Sequence, residues 1–205
     1  MHVHHRAAAV LTALLLPLAA ACGDSDQGTA ERAGDVKVDS KTKDAKPVET
    51  EEAPAEPVEE ETPDTELAVG DTFRYTDGVE VTVDSINTIT EFGTYDERPD
   101  AKDTAFRITW TVENGTGKPL DLDAWSFNPQ GATTGGQTTF VYVEKGSKEM
   151  AGRLAPSRKG TYTGEYSLPR ADGKEVVVEV SRMDDAWMEN DNAFGDEPNW
   201  TGAIK

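Results

Sequence analysis

Cys22 is the one cysteine in the chain and stands at the end of an apolar run; the three histidines, His2, His4 and His5, all precede it. These positions limit the available chemistry. A Ser-His-Asp or Cys-His nucleophile relies on an imidazole to move its proton. If the chain is cut before Cys22, no imidazole remains. Zinc sites draw on His and Cys, so the same cut removes their ligands. A lone cysteine also forbids an internal disulfide. Ser40-Lys-Thr-Lys43 has the Ser-x-x-Lys spacing of a nucleophile beside its base. It lies among Pro and Glu, without the dry, rigid frame that such a pair needs. No glycine-rich phosphate loop opens a helical pattern, which argues against nucleotide binding. No catalytic residue and no cofactor is therefore expected.

Carboxylates are plentiful, and they could do two things. A pair in a cleft can hydrolyse a glycoside. Several close together can hold calcium through oxygen. Asp184, Asp185, Glu189 and Asp191 form a weak calcium candidate, and Asp121 with Asp123 another. Neither follows the EF-hand spacing, and residues i and i+2 of a strand share one wet face in any case. Asn114-Gly-Thr116 and Asn199-Trp-Thr201 match the glycosylation sequon, and both are read as chance.

The elements that must position any of these groups read as strands. In Thr104-Ala-Phe-Arg-Ile-Thr-Trp-Thr-Val-Glu-Asn114, Phe106, Ile108, Trp110 and Val112 fall on one side. Ala105, Arg107, Thr109 and Thr111 fall on the other, predicting one apolar face and one mostly wet face. This is the expected central strand. Val69–Tyr75 reads as a first strand, Asp77-Gly78 as a two-residue turn, and Val79, Val81 and Val83 as the return strand. Residues 87–103 form a long connection that Phe92 and Tyr95 are expected to pin down; such loops are often functional. Leu120 and Leu122 alternate with Asp121 and Asp123, and Trp125 and Phe127 continue the run. Residues 131–138 form a Gly/Thr-rich loop, and 139–144 a strand whose buried face the pattern leaves ambiguous. Tyr162, Tyr166 and Leu168 share a parity, as do Val176, Val178 and Val180. Residues 183–205 are acidic yet carry Trp187, Phe194 and Trp200, which are read as covering an open end or edge of the body. Without a sustained period of 3.6, the pattern predicts an all-β antiparallel sandwich.

The first 66 residues differ in kind. Residues 1–21 have a short basic start and a 15-residue apolar run, too short to span a bilayer and suited to a signal peptide. Residues 23–66 hold fifteen acidic side chains against five basic ones and no aromatic residue, Leu, Ile or Met. Pro47, Pro54, Pro57 and Pro63 recur among Glu and Ala. Such a segment cannot bury enough surface to offset ordering its backbone, and it is expected to be a disordered acidic stalk. The whole chain carries a formal charge of −19, which disfavours nucleic acid and anionic lipid as partners.

Leu18-Ala-Ala-Ala-Cys22 resembles the lipobox of bacterial lipoproteins. The resemblance implies cleavage before Cys22, lipidation of its thiol, and a place on the outer face of the cytoplasmic membrane. A second resemblance covers most of residues 67–181. Val69-Gly-Asp-Thr72, Val79 to Asp84, Phe106 to Asn114 with Gly115, Pro119-Leu120, and Leu154-Ala-Pro156 before a strand at 160–168 recur in order. Together they resemble the immunoglobulin-like extracellular domain of unknown function found in actinobacterial and other Gram-positive lipoproteins. That fold is similar to a secreted mycobacterial immunoprotective antigen. The expected organisation is a signal peptide (1–21), lipidated Cys22 and linker (22–66), an immunoglobulin-like sandwich (67–182), and a tail packed on it (183–205). The expected function is a non-catalytic, lipid-anchored surface module that binds a protein or cell-wall ligand, through the end carrying loops 87–103 and 131–138. The alternatives are an envelope hydrolase using a carboxylate pair and a calcium-stabilised spacer.

Overall fold

The computed structural model describes residues 29–33, 64–185 and 197–205. In chain order the strands are β1 (Thr29–Glu31), β2 (Glu66–Ala68), β3 (Thr72–Arg74), β4 (Val79–Thr88), β5 (Asp103–Asn114) and β6 (Leu120–Asp121). There follow β7 (Trp125–Gly131), β8 (Thr139–Phe140), β9 (Arg153–Leu154), β10 (Arg158–Pro169), β11 (Glu175–Arg182) and β12 (Asn199–Ala203). A 3-10 turn, Arg170–Asp172, joins β10 to β11. The strands form a six-stranded sheet in the order β1-β3-β4-β5-β10-β8 and a four-stranded sheet in the order β2-β12-β11-β7, with β6 and β9 paired separately. All pairings are antiparallel except β12 with β2. The chain is an all-β sandwich.

β5 lies in the middle of the larger sheet, as its pattern predicts. It pairs with β10 from Asp103 opposite Pro169 to Asn114 opposite Arg158, and with β4 on its other side. Phe106, Ile108, Trp110 and Val112 point into the core, each 4% exposed or less. Val79, Val81, Val83, Ile86 and Leu168 join them, and Val176, Val178, Val180, Phe127 and Trp200 face them from the smaller sheet. Trp110 stacks on Phe127 with ring centroids 4.1 Å apart, bridging the two layers. Each such side chain contributes roughly 1.5–3 kcal/mol on burial, so this stripe is the main drive for folding. The register of β4 against β5 shifts between Val83 and Ser85. That bulge flips the parity, so Ile86 continues the buried row begun by the valines, and the strand runs on to Thr88.

Four details differ from the sequence expectation. Residues 69–75 are not one strand. Gly70 takes φ +104°, where a side chain would be strained, and the chain crosses from the smaller sheet at β2 to the larger at β3. The hairpin between β3 and β4 has a three-residue loop, since Tyr75 N–H donates to the Val79 carbonyl at 2.8 Å. Part of the expected stalk is ordered: β1 pairs with β3, placing Thr29 opposite Arg74 and Glu31 opposite Thr72. Residues 199–203, read as part of a covering tail, form a strand of the smaller sheet. β12 is an inner strand between β2 and β11, and fully buried Trp200 donates its Nε1–H to the Asp71 carbonyl at 2.9 Å. The body therefore extends to the last residues, with Ile204 also in the core. Trp187 and Phe194 lie outside the described residues.

Candidate functional site: a roofed outer face

The outer face of β5 is not wet along its first half. Ala105 is buried, and Arg107 is partly covered. The Arg107 Nε–H donates to Glu165 Oε1 at 2.6 Å, directly across the β5–β10 ladder. Glu165 is 2% exposed. It also accepts from Thr163 Oγ1 at 2.9 Å and Ser147 Oγ at 3.1 Å. A buried carboxylate needs such partners, because removal from water penalises its charge. A second Arg107 nitrogen donates to the Lys145 carbonyl at 2.7 Å. Lys148 N–H donates to Thr163 Oγ1 at 2.8 Å. This polar row holds the segment after β8 against the sheet.

That segment resolves the ambiguous alternation in Thr139-Phe-Val-Tyr-Val-Glu144. Val141 and Val143 are buried, yet they stand apart from the main core, forming a small apolar layer on the outer face. Phe140 and Tyr142 consequently point to solvent, 62% and 48% exposed. Only Thr139 and Phe140 are regular strand.

Residues 89–102 run beside this segment and complete a roof. Glu97 N–H donates to the Tyr142 carbonyl at 2.9 Å, and Glu144 N–H donates to Asp96 Oδ1 at 3.0 Å. Asp96 also accepts from Gly93 N–H at 2.6 Å. The two backbone donors hold its carboxyl below the usual carboxylate range. Lys145 Nζ reaches Glu91 at 2.6 Å; the contact lowers the Glu91 carboxyl and raises the Lys145 ammonium. Phe92 packs under the Arg98 guanidinium, 5.1 Å from its ring centre. Tyr95, expected to pin the loop, is 84% exposed instead. Tyr95, Phe140 and Tyr142 are three of the four large exposed apolar side chains among the described residues, Met183 being the fourth.

Phe140 separates two open grooves. One, of about 390 Å³, runs past Phe127, Pro129, Thr138 and Tyr166. The other, of about 500 Å³, is lined by Glu97, Arg98, Asp100, Asp103 and Ser167. Tyr166 meets Phe140 edge-on at 6.3 Å and donates its hydroxyl to the Phe127 carbonyl at 3.2 Å. Burial pushes that hydroxyl up to about 12. Thr138 Oγ1 donates to the Pro129 carbonyl at 2.9 Å. The edge strand β7 is thereby blunted by a proline and by two side-chain hydroxyls. Loops 87–103 and 131–138 do share one end of the body. Arg170 N–H donates to the Lys102 carbonyl, and Thr134 Oγ1 to Asp172 Oδ1 at 2.7 Å, so both lean on the turn after β10.

Asp121, Asp123 and Asp184 of the predicted carboxylate groups make contacts within the fold. Asp121 Oδ1 accepts from Asp123 N–H at 3.1 Å, and Asp123 Oδ1 from Gly152 N–H at 2.8 Å, shaping the turn between β6 and β7. Asp184 is buried and paired with Arg182. Asp185 is exposed, and Glu189, Asp191 and Cys22 lie outside the described residues. Among the described residues, no three His, Cys, Asp or Glu come together as a metal site. Arg182 also forks onto Asp77 at 3.0 and 2.6 Å and packs over the rings of Tyr75 and Trp125, 5.0 and 5.2 Å from their centres. Burial lifts the Tyr75 hydroxyl far above its ordinary range. Asn114 of the first sequon is fully buried; its amide donates to the Lys118 and Leu154 carbonyls and accepts from Thr116 N–H and Oγ1. The Asn-x-Thr spacing there builds a turn, out of reach of a sugar.

No protein-family profile matches the chain, and no curated protein matches its sequence. Solved β-structures do. The yjhA protein of Bacillus subtilis is 17% identical with a TM-score of 0.48, the match covering 68% of this chain and 99% of that one. A β-sandwich protein of Clostridium difficile is 16% identical with a TM-score of 0.39, covering 73% and 100%. The candidate lipoprotein ycdA of Bacillus subtilis is 10% identical with a TM-score of 0.44, covering 62% of this chain and 37% of its own length. Among the described residues, no helix is long and apolar enough to cross a membrane.

Proposed function

We propose that the protein is a non-catalytic module, anchored by lipid at Cys22 to the outer face of the cytoplasmic membrane, that binds a protein or cell-envelope ligand with its roofed face. The carrying observation is the exposure of Tyr95, Phe140 and Tyr142 on segments pinned by backbone hydrogen bonds and the Arg107–Glu165 pair. Tyr and Phe offer large, stiff contact area and are enriched in interfaces. A backbone already in place lowers the ordering cost of binding. Two carboxylates of the adjoining groove have partners: Asp100 lies 3.6 Å from Lys102 Nζ, and Glu97 accepts from Tyr142 N–H at 3.4 Å, while Asp103 Oδ1 is buried without a hydrogen bond. Neither arrangement prepares a general acid and base.

Capture experiments test the binding surface. The full chain, immobilised, is expected to retain a component of cell-wall or secreted fractions, and the triple variant Tyr95→Ser, Phe140→Ser, Tyr142→Ser is expected to release it. Equal capture by both proteins would remove the roof from consideration. The anchor is tested separately: Cys22→Ser is expected to move the protein from membranes to the medium, with loss of a diacylglyceryl mass from residue 22.

A further inference from the structure

The ordered piece of the supposed stalk has a consequence for reach. β1 sits only seven residues beyond Cys22, whereas the next described strand, β2, begins at Glu66. The chain between β1 and β2 is long, so β1 is not forced onto β3 by its neighbours in sequence. It is held by specific contacts. Arg74 pairs with Glu31 of β1 on one side and with Glu80 of β4 on the other. Arg32 reaches Asp64 at 2.6 Å and the Glu66 carbonyl at 3.3 Å. Ala33 N–H donates to Asp71 Oδ1 at 2.7 Å, and Asp71, 4% exposed, takes Ala68 N–H on its other oxygen at 2.9 Å. Ala30 packs against the core.

These contacts are directional, but the interface is small. Three residues pair with three. The ion pairs are one-third to one-half exposed, so salt screens them. A short strand held this way can leave the sheet while the sandwich behind it, built on β4, β5 and β10, stays intact. Its departure would bare the backbone donors and acceptors of β3, an edge of the kind that takes up an extended peptide.

We propose that residues 29–33 form a releasable clasp with two settings. Clasped, they hold the sandwich edge within about 25 Å of Cys22, the limit for seven extended steps. Released, Cys22 is tied to β2 by 44 residues of chain, a length for which a flexible linker would span about 35–40 Å. Only the link to distance from a membrane rests on the lipid anchor proposed above; the clasp itself belongs to the protein whether or not Cys22 is acylated.

The test uses the full chain in detergent, with its thiol unmodified. A spin label on Cys22 and a second on Lys118→Cys, an exposed loop position, report the distance. Glu31→Lys repels Arg74 while leaving the Arg74–Glu80 pair in place. At low salt the parent is expected to give a short, narrow distance distribution. Glu31→Lys, or 1 M salt, is expected to lengthen the mean by about 10 Å or more and broaden it. Amide exchange at residues 29–33 and 72–74 should rise at least tenfold, with β5 and β10 unchanged. A broad, long distribution in the parent at low salt would overturn the proposal, as would a Glu31→Lys distribution superimposable on the parent's. Exchange that rises equally in β5 would show global unfolding rather than a clasp, and would overturn it too.

Discussion

At the end of the sandwich that carries Asp77, Asn114 and Arg182, charged and polar side chains are buried and bonded to other parts of the chain. At the end that carries the roof, the polar groups do the pinning beneath, and large aromatic rings are left in water. Both ends join loops from the two sheets, so topology alone does not explain the contrast. At the first end, a charge removed from water is stable only with its partners, and each partner is another residue of the same chain. At the second, Val141 and Val143 claim the inner side of their segment, and the intervening Phe140 and Tyr142 have nowhere to go but out. The first end is built for stability, and the second is the one with surface left to offer.

Substitutions can break or sharpen that contrast. The largest effect is expected from Arg182→Leu, which leaves Asp77 and Asp184 without their cation. Urea unfolding should show a loss of about 3–5 kcal/mol. A loss under about 1 kcal/mol would mean that the buried pairs do not depend on Arg182. Asn114→Ala should cost about 2–3 kcal/mol, because the Lys118 and Leu154 carbonyls lose a buried donor. A Cβ at neighbouring Gly115 would collide with the Gly78 carbonyl, so Gly115→Ala should add a loss of similar sign. The roof variant with three serines should unfold within about 1 kcal/mol of the parent, since exposed positions contribute little to stability. A large loss there would make the aromatics structural and end their use as a binding surface.

The smallest effect concerns Asp84, at the bulge of β4. Desolvation raises its carboxyl above the ordinary value despite the hydrogen bond from Thr111 Oγ1 at 2.8 Å. A raised carboxyl binds its proton more tightly folded than unfolded. Stability from this site is therefore present at low pH and lost as pH rises through the folded value. Asp84→Asn keeps an acceptor for Thr111 and removes the charge. It should raise stability at neutral pH by about 0.3 kcal/mol, a small figure because solvent screens an exposed site. The advantage should fade in acid. Melting curves at pH 7 and pH 4 check it, and a variant less stable than the parent at pH 7 contradicts the sign.

Much of the body was legible from alternation. Phe106 to Val112, the valines of β4 and β11, and Tyr162 with Leu168 lie on the faces their parity predicts. The roof was not legible. Its two segments meet through Glu97 with Tyr142 and Asp96 with Glu144, above an Arg107–Glu165 pair fifty-eight positions apart, and no local period records such pairs. Tyr95 could not be told from a loop anchor, nor Phe140 from a core residue, without knowing which neighbours already filled the space.

The sequence by itself determined that the chain would build strands and which faces would be apolar. It did so because side-chain direction in a strand alternates locally and hydrophobic burial follows that alternation. Only the tertiary structure decided that Trp200 would sit inside a sheet, that Thr29–Glu31 would close an edge, and that three aromatics would stand in water. Those outcomes depend on which distant segments arrive first at a given surface and on how much room they leave, and excluded volume of that kind belongs to the assembled molecule.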